Sequence, residues 1–266
     1  MSYVLIPRIE IFGANAQSAY PIVTGPSPLA FLGFARCMAL DLGGEQSEKI
    51  QVAILHHDIE MRGEGDKYGS YRPSQFRGAA LTVNSKAGAS SDYVVGGLSM
   101  SLQPVALCNL TVSLIISGLD GFSESEIQEQ VLVMRIAGGH IRQTGRVKRF
   151  ETIDAAAKRA GSGYFVTERR DILNVPADEK IKAMLLAMTQ RKEGDGWILP
   201  MNLGFLPVTP FTEKLASRKG LKHAYAEPLI GLVQYKTRRA LADEKQNIPV
   251  WRYSTSGDAL FATNCN

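Results

Sequence analysis

The apolar residues of the first 150 positions include three runs rich in β-branched side chains. These runs cover residues 3–12, 49–61 and 104–118, and their composition and partial alternation predict strands. Residues 28–42 lie between the first two runs, and a proline opens this segment and glycines close it, as expected of a helix. Its apolar residues lie nearly all round the helix, so we expect burial on more than one side.

A second helix and a fourth strand are predicted beyond the third run. Residues 123–139 begin with a capping box formed by Ser123 and Glu126 and end at two glycines. Residues 140–152 can form a further strand. The order strand, helix, strand, strand, helix, strand is that of the ferredoxin-like fold of the α+β class, which is shared with RRM domains.

The pattern divides the chain into two parts. We predict an RRM-like core over residues 1–150, interrupted by a Gly-, Ser-, Tyr- and Arg-rich insertion at about residues 62–103. Residues 151–266 are interpreted as a β-rich C-terminal extension packed on that core. Its predicted elements are a strand turning into a helix over residues 163–173, a helix over 177–191, and extended segments over 196–211, 226–236 and 249–256.

The charge of the chain is mildly basic and unevenly distributed. The formal net charge is +4, whereas residues 135–170 alone contain nine Lys and Arg residues against three acidic ones. This local excess fits a nucleic-acid partner, although the total charge does not require one.

Other compositional signals exclude several classes of protein. The first residues lack a signal-peptide pattern, and no apolar run approaches the roughly 18 residues that cross a bilayer, so we expect a cytoplasmic protein without a membrane partner. The three cysteines are widely spaced, which fits neither a zinc site nor a disulfide framework. Cys37 and Cys108 lie in apolar runs and are interpreted as core thiols. No cofactor or metal is expected.

The segment LHHDIEM concentrates groups that can ligate a metal or transfer protons. Strand alternation predicts His56, Asp58 and Glu60 on one face of the strand, and His57 with Ile59 on the other. No second cluster completes a metal or catalytic site, which favours a polar strand end that faces solvent or a partner. Acid–base ribonuclease chemistry by a histidine is the alternative.

The segment RIAGGHIRQTGRVKR combines two glycines with five cations. Gly138 and Gly139 follow a predicted helix, where they can stop the helix or expose backbone N–H groups to a phosphate. The basic excess favours contact with a nucleic-acid backbone. The surrounding cations are Arg135, Arg142, Arg146, Lys148 and Arg149.

The insertion interleaves cations with aromatic residues. Cations can hold phosphates while aromatic rings stack on unpaired bases. A surface loop without such a role is the equally compatible alternative on composition alone. The residues concerned are Arg62, Lys67, Arg72, Arg77 and Lys86, with Tyr68, Tyr71 and Phe76.

Six landmarks along the chain resemble one known family. The segment LIPRIEIFGANAQSAYPIVTGPSPLAFLGF is similar to the N-terminus of the Cas-five-type subunit, the Csy-two family, of type I-F CRISPR surveillance complexes. The later landmarks follow in the family's order. They are His57 with Glu60, residues 134–139, the GYFV that begins at Gly163, residues 196–211 and the WRYST near the end.

The resemblance implies a fold, a function and a set of partners. It implies a RAMP-superfamily protein, in which an RRM-like core has a long β-hairpin thumb at residues 62–103. Such a subunit is non-catalytic, caps the 5′ handle of the crRNA, pairs with the large subunit and abuts the neighbouring backbone subunit. Target DNA is a further expected partner of the complex.

The expected RNA contacts combine the family landmarks with the basic and aromatic pattern. They are Arg8, Asn15, Lys67, Tyr68, Tyr71, Arg72, Phe76, Arg77, Gly138, Gly139, His140, Arg142, Arg146 and Arg149.

Two other functions remain open at the level of sequence. Some Cas-five relatives process crRNA, and an endoribonuclease would need an acid–base pair drawn from His57, His140, Tyr68 and Lys67. A generic RRM-like RNA-binding protein is the third hypothesis, but it leaves the ordered landmarks unexplained.

Overall fold

The structure is a computed structural model that describes most of the chain. The described ranges are residues 2–44, 49–65, 71–73, 75–78, 103–189, 196–213 and 221–264, with the backbone alone for 71–73, 75–78 and 103–105.

The described residues form mainly antiparallel strands with helices on both faces, so the chain belongs to the α+β class. The helices are α1 (Pro28–Asp41), α2 (Glu124–Val133), α3 (Ile153–Ala160), α4 (Lys180–Thr189) and α5 (Arg238–Asp243). The strands are β1 (Tyr3–Asn15), β2 (Gln17–Ala19), β3 (Ile22–Val23), β4 (Gln51–Met61), β5 (Gly63–Gly65), β6 (Tyr71–Pro73), β7 (Gln75–Gly78), β8 (Gln103–Ser117), β9 (Arg135–Ile136), β10 (Gly139–Gln143), β11 (Lys148–Phe150), β12 (Tyr164–Glu168), β13 (Ile198–Pro207), β14 (Ala226–Thr237), β15 (Arg252–Ser256) and β16 (Ala259–Thr263).

One large antiparallel sheet organises the molecule. Its strand order is β15-β16-β13-β14-β12-β4-β8-β1-β10-β9, while β11 also pairs with β1 and β7 with β8. The strands β1, β4, β8 and β10 therefore lie in the order β4-β8-β1-β10. The C-terminal strands continue this sheet through the β12–β4 pair, in which Tyr164 lies opposite His56.

Helix α1 is buried on more than one side, which confirms the prediction from its apolar residues. The Ser27 side chain caps its first turn by accepting from Leu29 N at 3.1 Å. The helix packs against β4, β13, β16 and α2. Cys37 is exposed on this helix, so its interpretation as a core thiol was wrong; Cys108 is buried as predicted. The buried residues of α1 are Pro28, Phe31, Leu32, Phe34, Ala35, Met38 and Ala39.

Two apolar clusters lie on opposite faces of the sheet. The larger one fills the space between the sheet and helix α1, with Ile127 and Val131 of α2 included. The smaller one lies under α3 and α5 and includes Leu5, Ile115 and Phe165. Among the described residues, helices α3 and α5 pack on one end of that second face, and the strand residues beyond them, such as Phe12, Asp58 and Glu60, are exposed. We call this exposed part of the second face the open face.

The predicted helix over residues 123–139 is shorter in the structure. Its capping box is present, with Glu126 N donating to Ser123 Oγ at 3.3 Å, but α2 ends at Val133. Ala137 and Gly138 both have positive φ, 50° and 78°, so the chain reverses and forms the β9–β10 hairpin. The predicted fourth strand is likewise split into β10 and β11 by the intervening turn.

The described backbone of the insertion forms antiparallel pairs. Strand β5 pairs with β6, and β7 pairs with the start of β8, where Gln75 lies opposite Ala106. Residues 66–70, 74 and 79–102 lie outside the described ranges, so the thumb stays a prediction. None of the described helices is long and apolar enough to span a membrane.

Candidate nucleic-acid interface

A β-bulge in β4 rearranges the HHDIE segment. The pairing of β4 with β8 shifts between His56 and Asp58, so His57 is the extra residue of the bulge. His56 therefore points into the larger core, where its ring lies edge-on to Phe31 and Tyr235 at 5.8 and 5.3 Å. The predicted alternation was wrong because it assumed a regular strand. Burial lowers the pKa of His56 to about 4.

His57 lies on the open face and both of its ring nitrogens are engaged. Nδ1 is 2.6 Å from the Ser162 carbonyl oxygen and must donate, so Nε2 accepts from Ser113 Oγ at 2.7 Å. Ser113 Oγ in turn accepts from the backbone N–H of Arg8 at 2.9 Å. Burial lowers the pKa of His57, the bond to Ser162 opposes that shift, and nearby Arg8 adds to it. The neutral imidazole thus links the segment after α3 to β1.

Arg8 occupies a bulge in β1 that turns its side chain outwards. Its φ is 47°, a left-handed conformation that costs a non-glycine residue about 1–2 kcal/mol. The β1–β8 register shifts between Ile6 and Ile9 around it. Gly145 N donates to the Pro7 carbonyl at 2.8 Å and fixes the same bulge from the other side. Strain held in place by several bonds is typical of functional positions.

Four exposed cations surround a cleft beside this bulge, which we call the basic cleft: Arg8, Arg146, Lys148 and Arg159. The cleft has a volume of about 240 Å³ and is floored by Leu5, Pro7, Gly145 and Ala160. No described carboxylate forms an ion pair with any of the four cations. Cations gathered without acidic partners repel each other, and a bound anion would relieve that repulsion.

Three separate chain segments deliver these cations. Arg8 comes from the β1 bulge, and Arg146 and Lys148 come from the turn between β10 and β11 and the start of β11. Arg159 comes from the last turn of α3. Thr152 caps the first turn of this helix by accepting from Ala155 N at 3.3 Å. The segments meet because α3 packs on β1 and β11. A cation in the last turn also balances the helix dipole, so Arg159 has a structural role besides any binding role.

A second feature of the open face centres on Phe12, whose side chain is 44% exposed on β1. The guanidinium carbons of Arg62 and Arg142 lie 4.0 and 5.8 Å from its ring centroid. His140 lies opposite Phe12 in the β1–β10 pairing. A groove of about 200 Å³ adjoins the ring and is called here the Phe12 groove. Its lining residues are Glu10, Ile11, Phe12, Asp58, Glu60, Asn109, Leu110, Thr111 and Arg142.

Gly139 has a packing role in the β9–β10 hairpin. A Cβ atom at Gly139 would lie 2.7 Å from Ala14 N and 2.8 Å from Ile11 Cγ2. Asn15 N donates to the Ala137 carbonyl at 2.9 Å and holds the hairpin against β1. Gly138 has open space around it and is exposed at the turn. Contact between this turn and RNA stays a prediction.

Arg149 is tied to the protein by several bonds. Its guanidinium donates to the carbonyls of Leu119 and Phe122 at 3.1 and 2.5 Å, and to Ser2 Oγ at 2.5 Å. Asp120 lies 3.9 Å away. This environment favours a structural role for Arg149 over RNA contact.

The predicted residues of the insertion are not tested by the geometry. Lys67 and Tyr68 lie outside the described residues. For Tyr71, Arg72, Phe76 and Arg77 the backbone alone is described, on strands β6 and β7.

Sequence reasoning overlooked two residues of this surface, Phe12 and Arg159. The signal for Arg159 was present, because Thr152, an alanine-rich segment, two terminal cations and Gly161 together mark helix α3. Phe12 carried no such signal, because in the sequence it is one more apolar residue of a predicted strand. The bulge at Arg8 also changes which residues of that strand face the core.

The described residues offer no site for a metal. No three His, Cys, Asp or Glu side chains among them are grouped so as to hold an ion. His57, Asp58 and Glu60 share the open face, but His57 has both nitrogens engaged, as described above.

A profile of the family described as CRISPR-associated protein (Cas_Csy2) matches residues 4–185. The chain belongs to this family. The family predicted from the ordered landmarks is therefore confirmed. The Cas_Csy2 match extends from β1 into α4 and includes every residue of the basic cleft and of the Phe12 groove. CRISPR-Cas involvement follows from membership of the family.

Other comparisons add little to this result. Among solved structures, the crystal structure of a CRISPR protein from Archaeoglobus fulgidus is similar to this member of the Cas_Csy2 family, with 10% sequence identity and a TM-score of 0.38 over 100% of both chains. That similarity is too low to define the fold. No curated protein matches the chain.

Proposed function

We propose that this chain is a non-catalytic crRNA-binding subunit that caps the 5′ handle of the crRNA in a type I-F-like CRISPR surveillance complex of the cytoplasm. The basic cleft is the observation that carries the proposal. Its four cations converge from β1, the β10–β11 turn, the start of β11 and α3, and no described carboxylate forms an ion pair with them. Such a cleft suits the phosphates of a single RNA strand.

The arginines of the cleft suit phosphate in particular. A guanidinium presents several N–H donors in one plane and often binds phosphate through two parallel bonds. Arg8 and Arg146 are exposed at the rim, so a strand can reach them without rearrangement of the fold. The apolar floor at Leu5 and Ala160 supplies no competing acceptor side chain.

The strand order supports an RRM-like core of the RAMP type. The core strands lie in the order β4-β8-β1-β10 with antiparallel neighbours, and α1 and α2 pack against the same face. This arrangement is the one expected for a βαββαβ unit of ferredoxin-like type. In the proposal, β5, β6 and β7 form the base of the thumb.

An exposed apolar surface supports protein partners, which we propose to be the large subunit and the neighbouring backbone subunit. The side chains of this surface lie on α4, at the end of β13, and in the segments that follow β13 and precede β14. A group of exposed apolar side chains is more often part of an interaction site than of a surface that contacts only solvent. The residues are Ile181, Leu185, Leu186, Phe205, Leu206, Val208, Phe211 and Tyr225, all at least 41% exposed.

The geometry of His57 supports a non-catalytic role. A general base must have a free lone pair within reach of the proton it removes, whereas Nε2 of His57 already accepts from Ser113. The competing endoribonuclease hypothesis is tested by incubating the full chain with labelled repeat RNA. We expect no cleavage, and a cleavage product that disappears in His57→Ala or His140→Ala would contradict the non-catalytic proposal.

The cleft is tested by RNA affinity across a salt series. The full chain, assembled with its partner subunits, is titrated with an RNA of the 5′-handle sequence. Arg8→Gln and Arg146→Gln should each weaken binding by about 1.5–3 kcal/mol, the range for a hydrogen bond to a charged group. Each should also lower the log–log salt slope by about 0.7, because one phosphate contact is lost from a single strand.

Arg239→Gln is the matched control. Arg239 is an exposed cation on α5, paired with Asp243 at 3.8 Å, and lies outside the basic cleft. Its replacement removes the same charge. RNA affinity and the salt slope should change only by the small amount expected when one positive charge is removed far from the RNA. Equal effects of Arg239→Gln and Arg146→Gln would reject the cleft as a specific RNA site.

A further inference from the structure

The ring of Phe12 lies beside two cations on the open face of the sheet. Arg62 follows β4, Arg142 belongs to β10, and both point their guanidinium groups at the same ring. Neither arginine forms an ion pair with a described carboxylate, although Glu10, Asp58 and Glu60 line the adjoining groove. Two planar cations on one exposed ring form a surface on which a further flat group can stack.

The groove beside the ring is rich in hydrogen-bond acceptors. Glu10 accepts from Gln143 Nε2 at 2.6 Å, and Glu60 accepts from Asn109 Nδ2 at 3.2 Å. Asp58 accepts from the backbone N–H of Ile59 at 3.0 Å. Since an ionised carboxylate offers about four acceptor positions, each retains capacity for a donor from a ligand.

The charges decide which part of a nucleotide fits here. A phosphate would approach three carboxylates and be repelled, whereas an amino group on a base edge would be attracted to them. The volume of about 200 Å³ is below the roughly 300–1,000 Å³ of sites for drug-sized ligands. One base fits this description better than a complete nucleotide.

We propose that the Phe12 groove binds one unpaired RNA base that carries an exocyclic amino group, stacked on the layer formed by Phe12 and Arg62. The carboxylates of Asp58 and Glu60 accept from that amino group, as Asp and Glu do for cytosine. Uracil lacks such a group and binds more weakly. Arg142 is placed to neutralise the phosphate next to the base. The proposal rests on the crRNA-binding function proposed above and assigns a separate subsite to it.

The test uses the full chain in its assembled complex with short single-stranded RNAs. Oligo(C), oligo(A) and oligo(U) of equal length are titrated against the wild type, Phe12→Ala and Phe12→Tyr. Phe12→Ala should weaken oligo(C) binding roughly 5- to 150-fold, the effect of losing one base–aromatic stack, with an unchanged salt slope. Phe12→Tyr keeps the ring and should bind within about twofold of the wild type.

Two further variants separate the parts of the proposal. Arg62→Lys keeps the positive charge but loses the planar guanidinium group. It should weaken the binding of oligo(C) although the net charge is unchanged. Asp58→Asn should reduce the preference for oligo(C) over oligo(U). Tyr164→Ala removes a similarly exposed ring, 49% exposed, outside the groove and the basic cleft, and should leave RNA affinity unchanged.

The outcomes are distinguishable. If Phe12→Ala binds all three RNAs as the wild type does while Arg146→Gln binds them weakly, the base subsite is rejected and the crRNA-binding function is retained. If neither variant weakens RNA binding, both are rejected. If Phe12→Ala instead loses a partner subunit from the complex with RNA affinity intact, the groove is a protein contact and the proposal is wrong. Melting curves should show Phe12→Ala folded, because the ring lies outside both cores.

Discussion

The basic cleft lies on the same side of the sheet as the Phe12 groove, at the edge of α3, yet the chemistry of the two regions differs. The cleft gathers four cations with no described acidic partner, and its floor is apolar. The groove adjoins an aromatic ring with two arginines, but three carboxylates line it. A surface of the first kind attracts phosphates irrespective of sequence, whereas one of the second kind is suited to base edges.

The position of the two regions on β1 explains how one strand serves both. Arg8 and Phe12 lie four residues apart on β1, on either side of Glu10. The bulge at Arg8 directs its side chain to the cleft, and Phe12 lies further along the strand, opposite His140 of β10. A single RNA strand that follows β1 would therefore meet a backbone site and a base site in succession.

The largest effect is expected when the cleft is made to resemble the groove. Arg146→Glu removes one phosphate contact and adds a carboxylate beside Arg8. RNA affinity should fall by about 3–4 kcal/mol, from the lost charged hydrogen bond and the added repulsion. Affinity measured at low and high salt should show the loss shrinking as salt screens the repulsion. A loss equal to that of Arg239→Glu would mean that only net charge matters.

The next largest effect is on the stability of the sheet that supports both regions, and it depends on pH. His56 has a pKa of about 4 in the folded state against 6.5 unfolded, and neither ring nitrogen has a hydrogen-bond partner among the described residues. Above pH 6.5 both states are neutral. Between pH 6.5 and 4 only the unfolded state takes up the proton, so the free energy of unfolding should fall by about 3 kcal/mol.

Denaturant unfolding of His56→Leu at pH 7 and pH 4 checks this acid sensitivity. The variant should lose that part of the pH dependence, whereas His223→Gln, at an exposed histidine, should retain it. If wild type and His56→Leu lost stability in parallel between pH 6.5 and 4, the buried imidazole would not be the cause.

A smaller effect separates the glycine turn from the cleft. Gly139→Ala places a Cβ against the backbone of Ala14, and overpacking of this kind costs about 1–3 kcal/mol of stability. RNA affinity at temperatures where the variant is folded should stay within about twofold, since the added methyl group meets Ala14 and Ile11 and leaves the exposed Gly138 unchanged. An unchanged melting temperature with weakened RNA binding would instead support a direct contact between Gly139 and RNA.

An effect on stability of similar size is expected at Arg149, as a contrast to Arg146. Arg149→Ala should lower the free energy of unfolding by about 1–3 kcal/mol, because the partly buried carbonyls of Leu119 and Phe122 lose their donors. Its salt slope for RNA binding should match the wild type. Arg146→Ala should do the reverse, with the slope lowered and the stability kept. If Arg149→Ala lowered the salt slope and Arg146→Ala lowered the stability instead, Arg149 and not Arg146 would be the RNA contact.

Much of the fold could be predicted because its signals are local. The β-branched runs mark β1, β4 and β8, the Ser123 capping box marks the start of α2, and the all-round apolar surface of α1 indicates burial between layers. The family could be predicted because its landmarks are short and ordered.

What could not be predicted depends on irregular backbone. The bulge at His57 exchanged the faces of His56 and His57, and the bulge at Arg8 reset the alternation along β1. Each bulge is stabilised by bonds from distant segments, such as Gly145 N to Pro7 O, which no local pattern encodes. Arg149 resembled its basic neighbours in sequence, but its partners come from the loop before α2.

Photo-crosslinking of crRNA within the assembled complex, read by mass spectrometry, tests the central claim most directly. Crosslinks should concentrate on the peptide that contains Arg8 and Phe12 and on the peptide that contains Arg142 and Arg146. They should be lost from the second peptide in Arg146→Glu. Crosslinks confined to other segments, such as the distal ends of β13 and β14, would show that the open face does not hold the RNA.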